Sequence, residues 1–187
     1  MAVVGAGPAG FYTLAALLRG PVDVRADLFE RLPAPGGLLR YGVAPDQPRT
    51  RRVARAFAAM ADNPRVRYYG GVQVGRDLSV GELRRAYDAA VLCCGAGQSR
   101  LPDVPGHDLP GCISGAALAA WCNGHPDHAG RRIDLSHPVA VVVGNGNVAL
   151  DAARVLSRTP DEPLNSLPYS KLCPGSRTLA KLQERFR

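Results

Sequence analysis

Two glycine-rich turns stand about 140 residues apart in this chain, each between an apolar run and a segment with helical periodicity. The first is Gly5-Ala6-Gly7-Pro8-Ala9-Gly10, and the second is Gly144-Asn145-Gly146-Asn147-Val148-Ala149. The first glycine of such a turn permits a tight bend, the second lets backbone approach a pyrophosphate, and the third lets helix and strand pack closely. The helix N-terminus then offers N–H groups to the phosphates. The pair predicts two dinucleotides bound side by side, which is typical of electron-transfer chemistry.

A carboxylate accompanies the first of these turns. Glu30 ends the next predicted strand, 20 residues after Gly10. A carboxylate in that place accepts hydrogen bonds from the hydroxyl groups of a ribose. A glycine turn alone is weak evidence, because simple turns can have the same sequence. A turn with its strand, its helix and its acid favours nucleotide binding.

The elements that position these residues follow from hydrophobic periodicity. Met1–Val4 is predicted to be a short buried strand, residues 8–19 a helix, and residues 22–29 a second parallel strand. Together they form one βαβ unit. The other elements expected in this half are helices at 49–61 and 79–86, strands at 66–69, 72–74 and 89–94, and a capping box between Ser79 and Glu82.

Segment 31–50 is rich in proline and glycine and is predicted to be a long loop. A loop of this length inside a compact domain is usually functional. Around the second glycine turn, the sequence predicts a short helix at 116–121, a strand at 139–143 and a helix at 147–157. This second unit does not receive a second strand.

The predicted fold class is therefore α/β, a Rossmann-like doubly wound parallel sheet with two dinucleotide-binding units, the second incomplete. Residues 1–101 are expected to form the N-terminal part of the first dinucleotide-binding domain, with a turn-rich boundary after Leu101. Residues 102–158 are expected to form an incomplete second domain. Residues 159–187 are expected to be a divergent, poorly ordered tail that results from truncation or an altered reading frame.

Composition limits the class of protein. The chain has 187 residues, of which 46% are hydrophobic, and a net charge of +7 carried mostly by arginine. No apolar run has the length of a membrane span, and no basic tract is interleaved with aromatic residues, so neither a membrane nor nucleic acid is an expected partner. The charge favours either simple solubility or the attraction of an acidic protein partner. The oligomeric state is left open.

The cysteines and histidines predict neither a disulfide framework nor a metal site. The five cysteines have no C-x-x-C spacing, which indicates reduced thiols and a cytoplasmic protein. Cys93 and Cys94 lie in an apolar run and are expected to pack in the core. The four histidines show no ligand spacing on one element, and no catalytic side chain is predicted.

Several longer motifs resemble the adrenodoxin-reductase-like ferredoxin–NADP reductases, over roughly residues 1–160. They are Phe29-Glu30-Arg31-Leu32-Pro33-Ala34-Pro35-Gly36-Gly37-Leu38-Leu39-Arg40-Tyr41-Gly42-Val43-Ala44-Pro45-Asp46, Tyr69-Gly70-Gly71-Val72-Gln73-Val74-Gly75, Tyr87-Asp88-Ala89-Ala90-Val91-Leu92-Cys93-Cys94-Gly95-Ala96, Trp121-Cys122-Asn123-Gly124 and Gly144-Asn145-Gly146-Asn147-Val148-Ala149-Leu150-Asp151. The resemblance implies a flavoprotein oxidoreductase that transfers electrons between NADPH and an acidic, ferredoxin-like iron–sulfur protein through FAD.

The resemblance also implies which residues hold the cofactors. The FAD residues would be Gly5, Gly7, Ala9, Gly10, Glu30, Gly37, Leu38 and Val74. The NADP residues would be Arg100, Asn145, Gly146, Asn147 and Val148. Without the resemblance, Leu38 and Val74 could equally be core residues and Arg100 an ordinary surface arginine. The ferredoxin-facing surface is expected to include Arg49, Arg51, Arg52 and Arg55, whose helical spacing also suits a plain solvated face.

The chain departs from the family's pattern at two places. Gln47 stands where the family usually has a histidine close to the flavin, which affects proton handling more than hydride transfer. The arginine pair that reads the 2′-phosphate of NADP and the C-terminal Trp-Gly segment are both missing. Two alternatives therefore remain: another flavoprotein with two dinucleotides, similar to the glutamate-synthase small subunit, or a non-catalytic truncated fragment.

Overall fold

The structure, a computed structural model, describes residues 1–47 and 52–158, with only the backbone of Arg52. The chain divides into two compact units. The first comprises residues 1–40 and 50–97, and the second comprises residues 41–49 and 98–187. The boundaries predicted at 101 and 158 stay a prediction, and the expected tail at 159–187 lies outside the described residues.

The first unit contains a four-stranded sheet in which all pairings are parallel. Its strands are β1 (Ala2–Val4), β2 (Ala26–Glu30), β3 (Val66–Gly70) and β4 (Ala90–Leu92), in the order β3-β2-β1-β4. The central strand β1 pairs with β2 on one side and β4 on the other, so the first glycine turn leaves the sheet between two neighbours. The predicted α/β fold with a parallel sheet is confirmed.

Helices lie between the strands of this unit. They are α1 (Pro8–Arg19), α2 (Leu38–Tyr41), α3 (Arg52–Ala61) and α4 (Val80–Ala86). The helix predicted at 8–19 is confirmed, and so is the capping box at the start of α4, where Ser79 accepts from the Glu82 backbone and Glu82 accepts from that of Ser79. The segment predicted to be a loop at 31–50 contains α2, a single helical turn too short to give a periodic signal.

The core of the first unit lies on both faces of the sheet. Ala2 and Val4 pack with Phe29 and Leu83 on one face. Val3 is buried on the opposite face, because successive residues of a strand alternate between faces. On that side α1 packs closely enough that a Cβ added at Gly10 would lie 3.7 Å from Val3 Cγ1. The close approach of α1 to β1 fixes the geometry of the first glycine turn.

Three strands predicted in this unit differ from the structure. The strand predicted at 22–29 begins only at Ala26 and ends at Glu30. Residues 72–74 form no strand; Val74 makes an isolated bridge with Leu78. The strand predicted at 89–94 ends at Leu92, and Leu92 is 57% exposed. Within the described residues β4 has a neighbour on one side only, so its apolar side chains are less covered than those of a central strand.

The second unit contains helices α5 (Gly115–Cys122) and α6 (Asn147–Leu156) and a short 3-10 helix at Pro126–His128. Its core is a cluster of Leu118, Trp121, Cys122 and Ile133, against which Ala152 and Val155 of α6 pack. The Trp121 indole N–H donates to the Arg131 carbonyl oxygen at 2.9 Å. The helices predicted at 116–121 and 147–157 are confirmed, with shifted ends.

The strand predicted at 139–143 is wrong for the described structure. These residues form no strand there, and Val139, Val141 and Val143 are 75%, 84% and 86% exposed. A strand needs a neighbour to accept and donate its backbone hydrogen bonds, and the part of the chain that the structure describes offers none beside this segment. The apolar sequence is compatible with a buried strand but does not create one by itself.

Candidate dinucleotide-binding site

The first glycine turn depends on positions that accept no side chain. Gly5 has φ of +104° and donates its N–H to the Phe29 carbonyl oxygen at 2.7 Å. A Cβ at Gly5 would collide with the carbonyl oxygen of Cys93. A Cβ at Gly10 would collide with the carbonyl oxygen of Gly5. The turn is therefore as tight between β1, β4 and α1 as the fingerprint requires.

A second backbone segment closes over this turn. The Gly36 N–H donates to the Ala6 carbonyl oxygen at 2.7 Å. Gly37, with φ of +50°, approaches so closely that its Cβ would lie 2.8 Å from the Gly7 Cα. The glycine pair of the 31–50 segment thus lies directly against the fingerprint, and glycine at position 37 allows this approach because a Cβ there would collide with the Gly7 backbone.

Glu30 ties the same parts together with its carboxylate. Its Oε2 accepts from the Ala6 N–H at 2.8 Å, and its Oε1 accepts from the Leu32 N–H at 2.9 Å. The side chain is half-buried at the end of β2. Each carboxylate oxygen has a second lone pair, so Glu30 is held in place by backbone and still able to accept a bond from a ligand hydroxyl.

The helix after the turn begins without a side-chain cap. Gly7 is the N-cap of α1 and makes no side-chain hydrogen bond, and the first turn carries no acidic residue. The N–H groups at this end, including those of Ala9 and Gly10, are donors that the helix itself cannot satisfy. Together with the helix dipole they favour an anion at this position.

Two other predicted contacts of this site lie in different surroundings. Leu38, the first residue of α2, is 71% exposed. Val74 is partly buried and packs against the cluster formed around Leu83. A role for either residue beside a cofactor stays a prediction.

The second glycine turn is built more openly than the first. Gly144 has φ of +126°, and Gly146 is the N-cap of α6 without a side-chain bond. Asn145, Gly146, Asn147 and Val148 are all exposed. Ala149 stands where the first turn has its third glycine, and its Cβ lies 3.6 Å from a Cβ added at Gly144. The start of α6 therefore has uncapped N–H groups but no second backbone segment closing over them among the described residues.

Arg100 follows Ser99, which contacts the start of α5. Arg100 itself makes no described bond with the second turn. It is exposed, and its neighbour Ser99 makes an Oγ–Oγ contact of 2.9 Å with Ser114, the N-cap of α5. A Cβ at Gly115 would lie 2.8 Å from Val148 Cγ1, so the first turns of α5 and α6 are in direct contact. The structure brings these helix starts together; contact of Arg100 with a ligand stays a prediction.

Sequence reasoning missed the residues that hold segment 41–47. Asn123, at the end of α5, is 3% exposed, and its side-chain N–H groups donate to the carbonyl oxygens of Tyr41, Val43 and Ala119. Asn123 lies in the quoted Trp-Cys-Asn-Gly motif, but contacts 80 residues apart leave no periodic signal. A small, mostly apolar cavity of about 20 Å³ lies between this segment, α5 and α6.

The prediction that Cys93 and Cys94 pack in the core is wrong. Cys93 is half-buried and Cys94 is exposed, because both follow the last residue of β4 rather than continue it. Among the described residues, all cysteine thiols are unpaired and no group of three or more His, Cys, Asp or Glu could hold a metal ion. Cys122 is buried in the second unit, and this burial raises the pKa of its thiol to about 11.

The sequence profile of the pyridine nucleotide-disulphide oxidoreductases matches residues 1–162, which include both glycine turns and the Glu30 site. The chain belongs to this family. Among similar members, the human mitochondrial NADPH:adrenodoxin oxidoreductase is 46% identical over 173 residues, covering 92% of this chain and 35% of that protein. The NADPH-ferredoxin reductase FprA of Mycobacterium leprae is 43% identical over 166 residues, covering 86% and 36%.

A solved structure gives the same result for the fold. FprA from Mycobacterium tuberculosis in complex with NADPH superposes with a TM-score of 0.82 at 44% identity, covering 86% of this chain and 36% of that one. The chain thus spans about a third of the length of the relatives it matches. In the described residues no helix is long and apolar enough to cross a membrane.

Proposed function

We propose that the first unit binds FAD. Gly5, Gly7, Ala9 and Gly10 would hold the pyrophosphate, and Glu30 would accept from the ribose hydroxyl groups. Gly37 would let the backbone approach the cofactor, Leu38 would lie along the cofactor from the long loop, and Val74 would contact its adenine side. The observation that carries this proposal is the cradle formed where Gly36 and Gly37 close over the fingerprint. A side chain at Gly37 would fill it, as the 2.8 Å approach to Gly7 shows.

The second unit is proposed to bind NADP. Asn145, Gly146, Asn147 and Val148 would surround its phosphates at the uncapped start of α6, and Arg100 would add a positive charge. Support comes from the open helix start and from the likeness to Mycobacterium tuberculosis FprA, whose structure was solved in complex with NADPH. The basis for choosing NADP over NAD is the likeness to these relatives.

The proposed activity is electron transfer between NADPH and a ferredoxin-like, acidic iron–sulfur protein. FAD held by the first glycine turn and Glu30 would supply the exchange between the two-electron chemistry of nicotinamide and single-electron transfer. The chain's own part is to bind and align: the first turn fixes one dinucleotide, the second turn the other, and hydride transfer needs alignment rather than an acid or base. No catalytic side chain is proposed.

An anaerobic titration tests this activity. FAD-loaded protein is mixed with NADPH, and the loss of oxidised-flavin absorbance is followed before ferredoxin is added. Bleaching followed by ferredoxin reduction is expected. Bleaching without ferredoxin reduction would instead favour a flavoprotein similar to the glutamate-synthase small subunit. Bound FAD that NADPH does not reduce would favour a non-catalytic chain, the candidate that the exposed valines 139, 141 and 143 support.

The basic partner surface is proposed on α3. Arg55 is exposed there, while the other predicted members, at 49, 51 and 52, lie outside the described side chains. The net charge of +7 supports attraction of an acidic protein. Arg55→Glu should slow ferredoxin reduction and leave flavin reduction by NADPH unchanged. Equal slowing of both steps would contradict this surface.

A cytoplasmic location and the absence of a nucleic-acid partner are proposed from the thiols and the lack of a basic aromatic tract. The human relative is named as mitochondrial. The domain boundaries at 101 and 158 are likewise proposed from the turn-rich sequence and the loss of strand pattern.

A further inference from the structure

A buried carboxylate lies at the end of segment 41–47. The Asp46 side chain is 2% exposed and accepts two bonds from the Arg154 guanidinium, at 2.7 and 2.9 Å. Arg158 adds a third contact at 3.0 Å. A buried carboxylate needs such partners, because a buried charge without them is strongly unfavourable. The bidentate geometry also fixes the direction of the guanidinium.

Arg154 connects this carboxylate to a second one. Its Nη2 also donates to Asp151 Oδ1 at 2.7 Å, and the same oxygen accepts from Gln47 Nε2 at 2.9 Å. The chain of contacts therefore runs from Asp46 through Arg154 to Asp151 and returns to Gln47, the residue next to Asp46. Two consecutive residues of the segment are thus bound to one helix, Asp46 by Arg154 and Gln47 by Asp151.

The cluster lies on a defined face of α6. Asn147, Asp151 and Arg154 are spaced by four and three residues, which places them on one side of a helix. Asn147 is the first residue of α6, directly after the glycine turn proposed to bind the second dinucleotide. Because Gln47 bonds Asp151, its amide lies one turn of α6 away from the second glycine fingerprint.

We propose that Arg154 and Asp46 are positioning residues for the proposed electron transfer: they hold the Gln47 amide on α6, one turn from the second glycine fingerprint. The inference rests on the proposed function for its role and on the contacts above for its geometry. Asp151 receives both donors, and loss of the Arg154 bridge leaves Gln47 with a carboxylate whose direction is no longer fixed.

The geometry is tested by NMR of the nitrogen-labelled full chain without cofactor. The side-chain amide pair of Gln47 is assigned by its loss in Gln47→Glu. Arg154→Met should shift this pair and speed its hydrogen exchange about tenfold or more. Arg158→Met, which removes one contact to Asp46 but keeps the bridge, should leave the pair in place.

An unmoved Gln47 signal in folded Arg154→Met would overturn the proposal. If Arg154→Met loses its amide dispersion, Arg154→Lys is read by the same signal, since a lysine reaches one carboxylate but cannot bridge both in a bidentate way. A displaced Gln47 signal in that variant supports the bridge, and an unmoved signal contradicts it.

Kinetics test the role. In FAD-loaded protein, Arg154→Met should lower the limiting rate of flavin reduction by NADPH about tenfold while the half-saturating NADPH concentration changes less than about twofold. A purely structural role would instead lower the fraction of folded, FAD-containing protein without changing the rate per bound flavin. If the wild-type chain does not reduce its flavin at all, the proposed function is contradicted, and the amide signal alone decides whether Arg154 positions Gln47.

Discussion

Because Gly10 has no side chain, α1 can begin close against the backbone at the end of β1. A Cβ there would collide with the carbonyl oxygen of Gly5, which is backbone and cannot move aside. Gly10→Ala should therefore destabilise the folded chain by about 2 kcal/mol or more. Gly97→Ala is the matched control, because nothing lies within 4 Å of its Cβ. Urea unfolding measures both, and equal stability of the two variants would show that the turn is looser than described.

The carboxylate of Glu30 is held by two backbone N–H groups, which only a group with two acceptor oxygens can satisfy together. Glu30→Gln turns an NH₂ group toward one of those donors, a loss of about 1–3 kcal/mol. The FAD affinity should fall about tenfold or more, as measured by quenching of flavin fluorescence. Glu82→Gln, in the capping box of α4, should leave the affinity unchanged. An unchanged FAD affinity in Glu30→Gln would show that Glu30 does not contribute to FAD binding.

Local rules were sufficient for some residues of the site and not for others. Gly5, Gly10 and Glu30 could be identified because their spacing is set by one strand, one turn and one helix. Asn123 and Arg154 act on segment 41–47 across 80 and 108 residues of chain. Neither periodicity nor motif spacing encodes such a partner, so only the folded structure identifies them.

At the scale of elements, the capping box of α4 is the clearest case of sequence specifying structure. Ser79 Oγ accepts from the Glu82 N–H at 3.1 Å, and Glu82 accepts from the Ser79 N–H at 2.8 Å. Ser79→Ala should cost about 1 kcal/mol of stability, measured by urea unfolding. Ser136→Ala, at an exposed loop position, is the control. If Ser79→Ala loses no more stability than the control variant, the packing of Leu83 and not the cap stabilises α4.

Elements were less predictable where they depend on neighbours. The helix at 8–19 needs only its own periodicity and Pro8 at its start, and the structure confirms it. Segment 139–143 has an equally clear apolar pattern, yet a strand exists only through hydrogen bonds to another strand. The exposed valines of that segment show that an apolar pattern alone does not determine whether a neighbouring strand is present.

At the scale of the whole molecule, one buried carboxylate connects distant parts of the first unit. Asp27 of β2 accepts two bonds of 2.7 Å from Arg67 and one of 2.6 Å from the Tyr87 hydroxyl. Burial opposes the charged form of Asp27, but these bonds outweigh it and lower the pKa of the carboxyl. The same contacts connect β2, β3 and the end of α4.

Alkaline pH should weaken this connection. Burial, together with the hydrogen bond to Asp27, raises the pKa of Tyr87 to about 12. Because the unfolded phenol has a pKa of about 10, its stabilising effect is complete below pH 10 and is lost as the pH rises toward 12. Stability should fall in that interval, and Tyr87→Phe should flatten the fall. Unfolding curves of the wild-type chain and of Tyr87→Phe across this pH range measure the effect. Identical pH profiles of stability for the two would contradict the contact between Tyr87 and Asp27.

The most direct test of the whole account is FAD binding by the purified chain. Folded protein, verified by circular dichroism, is dialysed to equilibrium against increasing FAD, and bound flavin is measured by absorbance. The cradle of Gly5, Gly10, Glu30 and Gly37 predicts saturable binding of a single FAD per chain, with weaker binding in Glu30→Gln. A folded chain that retains no flavin at saturating FAD would contradict the account.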